Sequence, residues 1–324
     1  MRQLLLILFC ASSIHAANDW VLREDFATAP ATWRGFGNTN LFVWNSTNQN
    51  LDVTWDSAQT NSYFYLPLNL TVTRSDDFRV KFTLLMSEIA TGTDPLKPYT
   101  FELAAGLINT TNAFDPQMFR GSGINVLHGP RNLVEFDYFP DSGLGATISP
   151  TIASKDNQIA FSDNHPFEII PGVKYQIEMA YSSSNATLST IILADGEPFG
   201  PINDLTIPTR FTNFVVNAFA VSSYSDAGQN PPQFAGSLLA RGALDDVEIT
   251  IYHHPTLQIA RAENGNPVVQ FDTESGWNYS MEASADLLNW VEVGSLIEGT
   301  GAKIAEPLPL SEPYRFFRVR AERQ

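Results

Sequence analysis

Three stretches of this chain alternate apolar and polar residues at a period of two. Phe78, Val80, Phe82 and Leu84 interleave with Arg79, Lys81 and Thr83. Val173, Tyr175, Ile177, Met179 and Tyr181 interleave with Lys174, Gln176 and Glu178, and Leu51, Val53 and Trp55 with Asp52 and Thr54. Residues two apart share one face of a strand, so each stretch predicts a strand with one face buried and the other wet. Ser182-Ser183-Ser184-Asn185 and Asp195-Gly196 supply turns between such strands. No helical repeat of useful length occurs, and the one short helical candidate lies around Asp204. Strand-sized segments at this spacing predict an all-β chain, an antiparallel sandwich of jelly-roll type over residues 18–252. Ser62 to Pro67 reads as an aromatic strand ended by its proline, and Tyr99 to Ile108 as an apolar, central strand.

The first 17 residues read as a secretory leader. Arg2 gives a basic start, Leu4 to Ala11 a short apolar run, and the small residues Ala16 and Ala17 a cleavage point. The run is too short to span a bilayer, and no later stretch reaches the ~18 apolar residues of a membrane helix. The expected destination is therefore secreted, periplasmic or cell-surface. The single cysteine, Cys10, lies inside the leader. The exported chain then has no disulfide, and a large apolar core must hold it together. The formal net charge of −16 for the full sequence disfavours nucleic acid and anionic membrane as partners. The 22 Phe in a chain with 17% charged residues indicate a folded protein and not a disordered one. No oligomeric state follows from the sequence.

Functional chemistry concentrates in Leu133-Val134-Glu135-Phe136-Asp137-Tyr138-Phe139-Pro140-Asp141. Glu135 and Asp137 are two residues apart and so point to one face of a strand. Pro140 ends the ladder pairing, and Asp141 enters the turn that follows. Two carboxylates on one face and a third on the turn suit a hard cation or an acid/base pair. The plainer alternative is that they are solvated carboxylates on the polar face of an edge strand. Trp33, Trp44 and Trp55 fall in strands or at their ends, where aromatic rings usually fill a core.

The stretch Val134-Glu135-Phe136-Asp137-Tyr138-Phe139-Pro140-Asp141 resembles the acidic strand of the legume-type (L-type) lectins, a concanavalin A-like sandwich family that also includes LamG-like domains. Tyr175 to Tyr181 and Phe219-Ala220-Val221-Ser222 look like later strands of the same family. The resemblance implies a carbohydrate-binding protein with bound Ca²⁺. Glu135, Asp137 and Asp141 would ligate metal through carboxylates, and Phe139 through its backbone carbonyl. It implies glycan or polysaccharide as partner, with Asp94, Tyr138 and Asp141 as the nearest counterparts of sugar-binding positions. Asp141 stands where the family has Asn, and the family's metal-binding His has no counterpart near Thr147 or Ser149.

Family-16 laminarinase-type glycosidases share the sandwich and use Glu-x-Asp-x-Glu or Glu-x-Asp-x-x-Glu. Glu135-x-Asp137 is similar to the start of that motif, but Tyr138, Phe139 and Pro140 supply no second Glu, so a retaining pair is not built on this strand. A lyase would need groups such as His128, Arg131 and Tyr138, which no spacing selects. A polysaccharide hydrolase or lyase therefore stays as an alternative, beside a structural or adhesive surface protein. His253-His254-Pro255 reads as a boundary. Residues 253–324 form a second strand series, with Tyr279 to Ala283 and Tyr314 to Val319 in alternation. It resembles a fibronectin type III module, a spacer of the kind found in bacterial secreted proteins.

Overall fold

The structure is a computed structural model that describes residues 20–123, 126–141, 143, 145–252, 255, 257–262, 264–273, 276–308, 314 and 316–323. The predicted leader and the pair His253-His254 lie outside the described residues. The chain divides into two compact units, Val21–Ile251 and one that contains Tyr252–Gln324.

The first unit is a jelly-roll sandwich of two antiparallel sheets. One sheet has nine strands, with Asp77–Thr91 and Leu238–Tyr252 side by side at its centre. The other has seven, in the order Ile159–Phe161, Thr147–Ala153, Leu133–Phe139, Leu103–Ile108, Val215–Ser223, Ser62–Thr73 and Arg34–Phe36. The period-two stretches become the buried alternation of these strands. Asn50–Asp56 buries every second residue, and Lys174–Ser182 does the same for most of its length. Phe82 of the nine-stranded sheet meets Phe136 and Phe219 of the seven-stranded sheet, each at a ring-centroid distance of 6.0 Å. Trp33 stacks on Phe64 at 5.2 Å, and Trp55 is fully buried. Burying each such aromatic contributes roughly 1.5–3 kcal/mol, and truncating one to alanine costs about 3–5 kcal/mol.

Two local expectations change. The segment around Asp204 is not helical. Asp204 precedes the strand Leu205–Thr206, and Leu205 and Ile207 are both buried at a period of two that a helix cannot satisfy. Among the described residues the α-helix is instead the four-residue Thr110–Ala113, which follows the strand Leu103–Ile108. Asn109 caps it by accepting from the Thr111 and Asn112 N–H groups. The Ser62 strand also does not stop at Pro67 but continues to Thr73. Its pairing with the Val215 strand shifts register there: Ala218 faces Pro67 while Val216 faces Val72. The extra residues form a bulge in which Asn69 adopts a positive φ of 55°. Proline is tolerated beside such an irregularity because the regular ladder is already interrupted.

The register of the seven-stranded sheet places its outer face. Phe136 and Phe219 point at the partner sheet, so alternate residues point away from it. One outward row runs Arg34, Tyr65, Ala220, Gly106, Glu135 and Thr151 across the sheet. The next runs Phe36, Tyr63, Ser222, Ala104, Asp137 and Ser149. The middle of both rows carries small side chains. Gly106 has a packing reason: a Cβ there would lie 2.3 Å from the Val134 carbonyl oxygen.

The second unit holds a three-stranded and a four-stranded antiparallel sheet. Trp277–Ser284 is central in the larger one, paired along its length with Phe316–Arg323. Val269, Phe271, Trp277, Tyr279 and Met281 form the core.

Candidate functional site

The acidic strand is not an edge. Leu133–Phe139 lies between Leu103–Ile108 and Thr147–Ala153, and Glu135 and Asp137 are both 0% exposed. They share one face, as their spacing predicts, but that face is covered and not solvated. Buried carboxylates require a counter-charge or hydrogen-bond donors. Arg120, from the 3-10 turn Arg120–Ser122, supplies the charge. Its Nη2 donates to Asp137 Oδ2. Its Nε lies 3.2 Å from Glu102 Oε1 and 3.6 Å from Glu135 Oε2, ion-pair contacts that are not hydrogen bonds. Tyr224 Oη donates to Glu135 Oε1 at 2.6 Å, and Ser222 Oγ lies 3.2 Å from the same oxygen. The Arg120 guanidinium also sits 5.6 Å from the Tyr224 ring centre. The Arg120 turn is tied down by Asn230 N–H donating to the Gly121 carbonyl and Phe119 N–H to the His128 carbonyl.

Three buried carboxylates around one guanidinium cannot all ionise at low cost. Burial raises Glu102 to about 8, with Arg120 opposing that rise and Asp137 and Glu135 adding to it. Burial likewise raises Glu135 to about 7, with Asp137 adding and Arg120 opposing. Burial also raises Asp137, while Arg120 pulls it back down. Arg120 itself stays protonated, because the three carboxylates outweigh its own desolvation. Near neutral pH the cluster therefore holds protons that free carboxylates would have released.

The four residues expected to bind metal are not gathered into one site. Glu135 and Asp137 are occupied by Arg120, and Phe139 is half-buried opposite Thr147. Asp141 is exposed at a positive φ of 54° in the turn beyond Pro140. Among the described residues no group of three His, Cys, Asp or Glu is placed to hold a metal ion. The fit to calcium fails for a chemical reason: the guanidinium already fills the cationic position between the carboxylates.

The expected sugar-binding residues are not brought together either. Tyr138 is 1% exposed, and its hydroxyl accepts from Ile169 N–H at 3.0 Å, so it faces the interior. Asp94 builds its own turn, accepting from Leu96 N–H at 2.9 Å and donating its N–H to Ser237 Oγ at 2.8 Å. Asp94 and Asp141 share no hydrogen bond or ion pair. His128 packs edge-on against Phe119, and Arg131 Nη2 donates to the Val126 carbonyl, which leaves no lyase constellation with Tyr138.

Sequence reasoning missed two features. The first is Arg120, which lies in a stretch with no strand alternation, between the Tyr99 to Ile108 strand and the acidic strand. It is the only Lys or Arg between Lys97 and Arg131, and a buried acidic strand must find a cation, so that signal was present. The second is a groove of about 350 Å³ on the same outer face, formed at the bulge by Arg34, Tyr65, Asn69, Thr71, Thr110 and Asn217 with neighbouring Pro67 and Leu70. Asn217 Oδ1 accepts from Thr110 N–H at 3.0 Å, which leaves the Asn217 amide NH₂ as a donor. Phe114 packs at 5.1 Å from Tyr65 and 5.8 Å from Tyr63, and Tyr63 at 5.7 Å from Tyr224. An aromatic chain thus links the groove to the buried acids. Tyr65 and Glu135 lie in one row three strands apart, roughly 14 Å at the ordinary strand spacing.

No protein-family model matches the chain, and no curated protein matches it. Among solved structures, peanut lectin in complex with a nine-residue peptide is 17% identical, covering 73% of this chain and 100% of that one at a TM-score of 0.44. The lectin UEA-II complexed with galactose is 11% identical over 73% of this chain and 100% of that one, TM-score 0.46. The alginate lyase Aly36B is 10% identical over 72% of this chain and 96% of that one, TM-score 0.42. These are distant likenesses, and no residue role follows from them.

Proposed function

We propose that this chain is an exported carbohydrate-binding protein whose ligand lies on the outer face of the seven-stranded sheet, in the groove beside Tyr65. The observation that carries this reading is the lining of that groove. It combines a half-buried aromatic ring with hydroxyl, amide and guanidinium groups at a β-bulge. Such a mixture suits a sugar, which presents an apolar ring face for an aromatic and hydroxyls for polar side chains. Bulges re-aim side chains beside binding sites. The buried Arg120 cluster ties down the same face of the sheet, three strands from Tyr65.

A polysaccharide hydrolase or lyase needs its acid within reach of the substrate. Glu102, Glu135 and Asp137 are at most 5% exposed, so the geometry favours binding over turnover. The test is a broad glycan array probed with the mature protein in EDTA, beside Tyr65→Ala. Binding that survives EDTA and is lost in a Tyr65→Ala variant that remains folded supports the proposal. Absence of any glycan binding, or full binding by Tyr65→Ala, removes it. Release of unsaturated or reducing ends from a bound polysaccharide would transfer the site to the enzyme reading.

A further inference from the structure

We propose that the groove selects an anionic glycan, one bearing carboxylate or sulfate groups, and that Arg34 is the residue that recognises the charge. This inference rests on the carbohydrate reading of the same groove and adds the ligand class.

The chain carries 35 acidic residues, yet the groove lining contains no Asp or Glu. Two other grooves on the first unit differ. The one that includes Arg241 also includes Asp52, and Arg241 is paired with Glu88. The one that includes Lys81 also includes Glu178, and the two lie 3.0 Å apart. In both, the protein neutralises its own cation. Arg34 has no such partner: among the described residues no carboxylate or hydrogen-bond acceptor engages its side chain. It lies exposed on the terminal strand of the sheet, directly opposite Tyr65.

Other polar groups of the lining can add donors to the same ligand. The Asn217 amide oxygen is already used by Thr110, so that side chain offers its NH₂. Tyr65, Thr71 and Thr110 carry hydroxyls that can donate. A guanidinium fork suits carboxylate or sulfate oxygens and forms stronger hydrogen bonds to them than to neutral hydroxyls. The overall negative charge of the protein opposes a polyanion only at long range. At physiological salt that repulsion is screened beyond about 8 Å, and contacts within the groove decide. The volume of about 350 Å³ falls in the ~300–1,000 Å³ range of small-ligand sites, so the groove would take one or two sugar units of a longer chain.

The experiment compares binding of the full chain and of Arg34→Gln to three immobilised probes at 0.15 M NaCl: a polyuronate, a sulfated galactan and a neutral β-glucan. The expected result is retention on one or both anionic probes, with weaker retention on the neutral one. Arg34→Gln should lose about tenfold to a hundredfold on the anionic probe, the range of one charge-assisted contact, with unchanged binding to the neutral one. Comparing the two anionic arms identifies carboxylate or sulfate as the recognised group. Arg34 is exposed and unpaired, so the variant should melt with the wild type. Equal binding to neutral and anionic probes, unaffected by Arg34→Gln, overturns the charge selection and leaves the carbohydrate reading intact. No retention on any probe overturns both.

Discussion

Replacing Arg120 by Met tests whether one guanidinium holds the acidic strand in the fold. The substitution keeps side-chain length and apolar packing while removing the charge. Arg120 is 8% exposed and faces three carboxylates, none more than 5% exposed. Removing one partner of a buried ion pair costs about 3–5 kcal/mol, because the remaining charge is left uncompensated. Here the carboxylates can escape by binding protons, so the cost depends on pH. Burial already raises Glu102 to about 8 and Glu135 to about 7 with Arg120 opposing, and without it both rise further. In the variant the native state then binds more protons than the unfolded state, so its stability falls as pH rises. The expected loss is about 3–5 kcal/mol at pH 8 and less than about 2 kcal/mol at pH 5. Urea unfolding of both proteins at the two pH values reads this from the midpoints, provided the slopes agree. A loss equal at both pH values, or below about 1 kcal/mol at pH 8, would refute the proposed role of Arg120. Adding Glu102→Gln and Asp137→Asn to Arg120→Met should restore much of the stability at pH 8, since the uncompensated charges go with them.

The wild type should itself lose stability between about pH 4.5 and pH 8. Glu102 and Glu135 are raised above the ordinary value of 4.5 to about 8 and about 7. Their contribution is therefore complete at low pH and lost as pH rises through those values. Glu102→Gln should flatten that slope in melting temperatures measured across the interval; an unchanged slope assigns it to other groups. Calcium is the third test. Millimolar Ca²⁺ or EDTA should leave the melting temperature unchanged, because a cation that bound only the folded state would raise it; a rise of several degrees in Ca²⁺ that Asp137→Ala abolishes would show that a cation does displace Arg120.

Much of the sandwich was legible in the sequence because strand alternation is a local property. The Leu51, Phe78 and Tyr175 stretches each bury the face that their apolar residues mark. The shared face of Glu135 and Asp137 is local in the same way. Their environment is not. Whether a strand lies at an edge or in the middle depends on partners far along the chain, here Leu103–Ile108 and Thr147–Ala153. The carboxylates that local reasoning left to water or calcium were therefore free to meet Arg120, which comes from a turn with no regular pattern. The Asp204 segment shows the same limit: its burial at a period of two comes from pairing with Thr187 and Leu188.

The sequence by itself determined the strand class, the need for a large core without disulfides, and the pairing of two acids on one face, because each follows from residue type and a spacing of one or two. Only the tertiary structure decided what that face meets. It put a guanidinium where a cation was expected, turned Tyr138 inward to Ile169, and gathered Arg34, Tyr65, Thr110 and Asn217 into one groove. Those residues lie on separate elements, and the register of seven strands, with a bulge after Pro67, brings them together. Register is fixed by burial on the opposite face of the sheet, so the residues that line the groove carry no local mark of belonging to it.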